Sequence, residues 1–111
     1  MDYQVVTRGD GTSTISRIFR VGDDIKVVPT YLEFDHEEDA KKMYWAFEMV
    51  SSVWCYSGID MKNKYLQEHI EEVGEKPILD EFNWLSNHCE TRYAGEDSEG
   101  VWYNTIVYTG E

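Results

Sequence analysis

The chain has 111 residues, enough for one domain that buries its own core without disulfide or metal staples. Its 22 acids and 10 bases give a formal net charge of −12, yet 41% of the residues are hydrophobic, with four Trp, eight Tyr and four Phe. Those figures exclude a disordered acidic tail, and like-charge repulsion argues against direct binding to nucleic acid or to an anionic membrane.

Residues 3–8 (Tyr-Gln-Val-Val-Thr-Arg) are rich in strand formers, and Gly9-Asp10-Gly11 reads as a turn. Residues 13–21 form a second strand, with imperfect alternation because Ile18 and Phe19 are adjacent. Gly22-Asp23-Asp24 is the next turn. Ile25 to Phe34 is a third strand with Val28, Leu32 and Phe34 on one face; Pro29 within it predicts an edge position or a bend. Short turns between three strands predict an antiparallel meander.

Asp35 reads as the N-cap of the first helix, with Glu38 three residues on as a variant capping box. Glu37, Glu38 and Asp39 favour the positive end of the helix dipole. Ala40, Met43, Phe47, Val50 and Trp54 recur at the spacing of a buried helix face, and Gly58 is a stop signal. A second helix is expected over Asp60 to Val73, with Met61, Tyr65, Leu66, Ile70 and Val73 inward and Gly74 at its end. Pro77 suits the first turn of a short third helix ending near Asn87, with Ile78, Phe82 and Leu85 inward. Cys89 to Ala94 and Val101 to Thr109 read as the arms of a hairpin around the acidic loop 95–100, with helix through residue 93 as the competing reading. The order β-β-β-α-α-α-β-β predicts a single α+β domain over residues 1–111. Its antiparallel sheet combines an N-terminal three-strand meander with a C-terminal hairpin, and two to three helices pack on one face.

The chemistry-bearing patterns are sparse. His36, His69 and His88 are far apart, without Cys-x-x-Cys or His-x-x-x-His spacing, so no metal is expected. Cys55 and Cys89 are expected as buried free thiols, and Cys89 beside His88 lacks a demonstrable activating base. Nucleophile-elbow, phosphate-loop and EF-hand signatures are missing, so no cofactor is expected and the chain reads as a non-enzyme. Without a signal-peptide pattern or a long apolar run, the expected location is the cytoplasm, that of a host cell if the chain is phage-encoded.

Two features rise above this background. Residues 1–30 carry four acids and four bases, so the whole net charge falls on residues 31–111. Acids on consecutive helical turns lie about 6 Å apart, the scale of phosphate spacing along a nucleic-acid strand. Glu37, Glu38, Asp39, Glu71, Glu72, Glu75, Asp80 and Glu81 are therefore candidates for a phosphate-like surface. The second feature is the aromatic surplus: Trp45, Trp84 and Trp102 lie off the inward stripes and are candidate interface anchors.

In size, charge and lack of motifs, the chain resembles the small acidic inhibitors that phages make against host defence nucleases, including anti-CRISPR proteins and DNA mimics. The resemblance implies a protein partner with a basic, nucleic-acid-binding surface, blocked by binding instead of chemistry. An immunity protein or antitoxin that neutralises a basic nuclease toxin obeys the same physics. A small enzyme or ligand-binding domain, with a cleft between sheet and helices, is the reading from another class. Exposed aromatics would also serve a homodimer.

Overall fold

The computed structural model describes residues 1–110. Its order is β1 (Asp2–Thr7), β2 (Ser13–Val21), β3 (Asp24–Phe34), α1 (Glu37–Ser57), α2 (Gln67–Val73), α3 (Glu75–His88), β4 (Cys89–Glu96) and β5 (Trp102–Tyr108). The fold is α+β, as expected. The strands make two sheets: the antiparallel meander β1-β2-β3 and the separate hairpin β4-β5.

Two turns share one device. Gly11 and Gly100 both have φ near +80–90°, and each is the last residue of a three-residue hairpin loop. An aspartate fastens each loop: Asp10 Oδ1 accepts from the Thr12 amide at 2.9 Å, and Asp97 Oδ1 accepts from the Val101 amide at 3.0 Å.

β3 is an edge strand, and the register between β2 and β3 slips just after Pro29. Ser16 pairs with Pro29 but Thr14 pairs with Glu33, so Ile15 faces three residues, Thr30 to Leu32. Tyr31 adopts φ 63° at the crest of this bulge and is exposed. The Thr30 hydroxyl donates to the Ile15 carbonyl at 2.8 Å, and Thr14 donates to the Leu32 carbonyl at 2.7 Å, which satisfies groups the bulge takes out of the ladder.

Helix α1 buries Ala40, Met43, Phe47, Val50 and Trp54, the expected stripe. Its N-cap is His36, not Asp35, and no side chain caps the first turn, so the predicted capping box does not form. The three consecutive acids of that turn complement the helix dipole instead. Gly58 ends the helix, its amide donating to the Trp54 carbonyl at 3.0 Å.

The second helix is shorter than predicted. Asp60 and Asn63 accept hydrogen bonds from the Lys62 and Tyr65 amides, which gives residues 60–65 turn structure in competition with a helix. Leu66, Ile70 and Val73 still pack on the core, but Tyr65 is exposed. Helix α3 buries Ile78, Phe82 and Leu85 completely and begins at Glu75, with Pro77 in its first turn.

One core cluster joins Phe19 of β2 to Ala46, Val50 and Trp54 of α1, Leu66 before α2, and Ile78, Phe82 and Leu85 of α3. A second joins Tyr3 and Ile15 to Met43 and Phe47. Complete burial of such side chains contributes roughly 1.5–3 kcal/mol each. The Trp54 indole donates to Ser86 Oγ at 2.9 Å, tying α1 to α3 at the core boundary.

Candidate functional site

The acids predicted to form a surface fall into two groups. Glu37, Glu38 and Asp39 are exposed on the first turn of α1, and Glu71, Glu72, Glu75 and Asp80 are exposed around the α2–α3 corner. Val73 at that corner packs on the cluster containing Met43 and Phe47, which sets the corner against the first half of α1. Two of the acids are partly neutralised: Glu37 pairs with Lys41 at 3.7 Å and Asp80 with Lys76 at 2.7 Å, both exposed i,i+4 pairs.

Glu81 does not belong to this surface. It is 3% exposed and holds Arg17 through two bonds, Arg17 Nε to Oε2 at 2.8 Å and Nη2 to Oε1 at 2.6 Å. The Tyr3 hydroxyl donates to Oε2 at 2.6 Å, and Arg17 Nη1 donates to the Pro29 carbonyl at 3.1 Å. Burial and the adjacent Glu81 carboxylate hold the Tyr3 phenol well above its ordinary pKa.

Trp84 is likewise removed from the expected anchors. It is half-buried, with the Arg17 guanidinium 3.6 Å from its ring centroid and the His88 ring stacked 4.4 Å away. Phe19 and Tyr108 complete the aromatic group. Its place off the α3 stripe reflects a second contact face, toward β2 and β5, that helix periodicity alone does not register.

A cleft of about 400 Å³ lies above this network, lined by Leu32, Phe47, Pro77 and Trp84, with Lys76 and Asp80 alongside. Its two carboxylates are both committed, Glu81 to Arg17 and Asp80 to Lys76. His69 and His88 do not line it. Among the described residues, no group of three or more His, Cys, Asp and Glu is placed to hold a metal ion.

Both cysteines are buried free thiols. Burial pushes the Cys89 thiol up to about 12, which keeps it protonated at neutral pH. The His88 ring is engaged elsewhere, Nδ1 lying 2.9 Å from the Trp84 carbonyl oxygen.

Three exposed aromatics, Tyr93, Trp102 and Tyr103, stand on the β4–β5 hairpin, whereas Tyr31, Trp45, Tyr56 and Tyr65 are exposed elsewhere. Trp102 is 69% exposed, its ring 4.8 Å from that of Tyr93; Tyr103 and Val101 are also exposed. These rings adjoin Glu96, Asp97 and Glu99 of the turn, where no base lies between residues 93 and 111. The hairpin touches the body near its base and middle: the Thr109 amide donates to the His88 carbonyl at 2.8 Å, and the Asn104 amide to the Tyr56 hydroxyl at 3.3 Å. The radius of gyration, 14.5 Å, exceeds the roughly 13 Å of a compact chain of this length, consistent with a projecting element. The sequence marks loop 95–100 as acidic, but neither its acids nor Tyr93 is among the expected partner-binding residues; for Tyr93 the alternation of a two-stranded ribbon open on both faces is the only signal.

Trp45 stands apart, 61% exposed on α1 beside Tyr44 and next to β1. No protein-family model, curated protein or solved structure matches the chain. No helix among the described residues is long and apolar enough to cross a membrane.

Proposed function

We propose that this protein is an acidic inhibitor that works by binding, docking on a basic, nucleic-acid-binding surface of a larger enzyme and blocking substrate entry. The observation that carries the reading is the β4–β5 hairpin, where exposed Trp102, Tyr93 and Tyr103 adjoin uncompensated acids. Large exposed aromatics surrounded by polar groups are the usual composition of interface hot spots. The exposed acids of α1 and the α2–α3 corner add a field that attracts a cationic groove and repels nucleic acid from the same site. Glu81 and Trp84 act in this reading only as internal supports of the fold.

The test is affinity capture with the intact protein, followed by competition. A retained enzyme with a basic nucleic-acid channel, released by added duplex DNA and lost on Trp102→Ala, is the expected result. Its association rate with the wild-type protein should fall as salt rises. Capture that DNA does not reverse, or that survives both Trp102→Ala and the joint change of Glu37, Glu38 and Asp39 to Lys, would overturn the proposal.

A further inference from the structure

We infer that the free edge of β1 pairs antiparallel with β1 of a second copy of this chain, centred on Val5, so that two three-stranded sheets become one. Alternation along the ladder shows which groups are available. The Tyr3 amide points away from β2, donating to Glu48 Oε1 at 3.1 Å, while the Arg8 amide donates to the Thr12 carbonyl within the hairpin. Odd-numbered residues of β1 therefore face the open edge, and the Val5 and Thr7 amides have no strand beside them.

An exposed strand edge is normally guarded by lysine, proline or a bulge. Within β1 there is no lysine, proline or bulge: its pairing with β2 is regular from Asp2 to Thr7, and its guards are the charge of Asp2 and, from α1, Lys41 beside the edge and the Glu48 carboxylate on the Tyr3 amide. The strand is flanked by a groove lined by Tyr3, Val5, Lys41, Tyr44 and Trp45. An incoming strand would cover the otherwise exposed Trp45 ring and Val6.

Charge selects a second copy as the occupant. Two molecules of net charge −12 repel each other, but residues 1–30 sum to zero and the whole meander, with Glu33, carries only −1, so the meander is the region that can meet its own image at least electrostatic cost. In the Val5-centred register, Asp2 stands opposite Arg8 of the partner subunit, on the sheet face away from α1, and the reverse pair forms by symmetry. Arg8 already contacts Glu33 and Thr12 through Nη1, which leaves its Nε and Nη2 donors for that aspartate. The Val5 amides and carbonyls bond reciprocally, and the Thr7 amide meets the carbonyl of Tyr3 of the partner subunit. The Tyr3 amide exchanges Glu48 for the carbonyl of Thr7 of the partner subunit. Glu48, whose pKa is raised by burial, is then free to turn to water.

The inference is independent of the proposed inhibitory function, because it uses neither the hairpin nor the acidic corner. Sedimentation equilibrium of the purified protein should give twice 13.0 kDa as concentration rises. Amide hydrogen exchange should show concentration-dependent protection at Val5 and Thr7, with Gln4 and Val6 protected at every concentration. Val5→Pro removes an amide that β2 does not use and should leave a folded monomer. Asp2→Arg places like charges opposite each other twice and should weaken the dimer about tenfold. A monomer at all concentrations overturns the inference, as does a dimer whose Val5 and Thr7 amides stay unprotected. If Val5→Pro fails to fold, Asp2→Arg and the exchange pattern decide the matter.

Discussion

Arg17 of β2 and Glu81 of α3, 64 residues apart, meet in a two-pronged ion pair with side chains only 5% and 3% exposed. The pair is the polar bolt between the sheet and the third helix. Its lone pairs and protons are further used by Tyr3, by the Pro29 carbonyl and by the face of Trp84. Among the described residues no buried side-chain polar atom lacks a partner. Removing one member strands the other charge, largely buried, at the floor of the cleft. Glu81→Ala should therefore cost about 3–5 kcal/mol, read as a lower urea midpoint. The joint replacement Arg17→Met with Glu81→Leu should recover much of that loss, because it removes both charges together. A single Glu81→Ala change within experimental error of wild type would show that water reaches the pair.

Tyr3 gives the same network a pH signature. Its phenol is held well above its ordinary pKa of 10.0 by burial and by Glu81, and its folded form is the protonated one. Above pH 10 the unfolded chain loses this proton first, so the unfolded state binds fewer protons and stability falls as pH rises. The contribution is fully present below pH 10 and is lost toward the raised folded value. Tyr3→Phe should cost about 1.5–3 kcal/mol at neutral pH, the range for a hydrogen bond to a charged group. It should also flatten the decline above pH 10 relative to wild type. Urea unfolding of both proteins from pH 7 to 11 measures the two effects together.

The sequence carried the architecture because the architecture is local. Gly11 and Gly100 announce hairpin turns, and the Ala40–Met43–Phe47–Val50–Trp54 stripe is a helix face whatever it packs against. The α2 helix starts later than its periodicity predicts because Asp60 and Asn63 bond to nearby amides, and that competition is decided by geometry that periodicity does not carry. Glu81 departs from its pattern for a related reason. Beside Asp80 it looks like one of two surface acids, but a helix turns 100° between them. Only the long-range meeting with Arg17 and Tyr3 identifies it as interior. The acidic groups at α1 and the α2–α3 corner were legible, since charge runs solvate themselves. The hairpin's aromatic surface was half legible: Trp102 stood out, whereas Tyr93 gains meaning only from its cross-strand neighbour.

The three candidate tryptophans should separate cleanly. Trp45 and Trp102 are 61% and 69% exposed, and replacement of either by Ser should shift stability by no more than about 0.5 kcal/mol. Trp84 supports Arg17 on one face and packs with Phe19, His88 and Tyr108, so Trp84→Ala should cost about 3 kcal/mol or more. Acrylamide should quench Trp45 and Trp102 emission in the native state and spare Trp84. Equal sensitivity of all three to quencher would contradict the packing around Trp84.

The first turn of α1 makes a prediction in which stability and binding part company. Glu37, Glu38 and Asp39 sit at the positive end of the helix dipole, and no side-chain cap shares the task. Replacing all three with Gln should lose about 1–2 kcal/mol, since each carboxylate contributes roughly 0.3–1 kcal/mol there. Replacing them with Lys should cost more, because three positive charges then oppose the dipole, and the difference should shrink in high salt. Partner binding should follow charge and not stability. At low salt, with both variants folded, the Lys variant should bind far more weakly than the Gln variant, and salt should narrow the gap. Equal affinity of the two would assign these acids to helix initiation alone and leave docking to the β4–β5 hairpin.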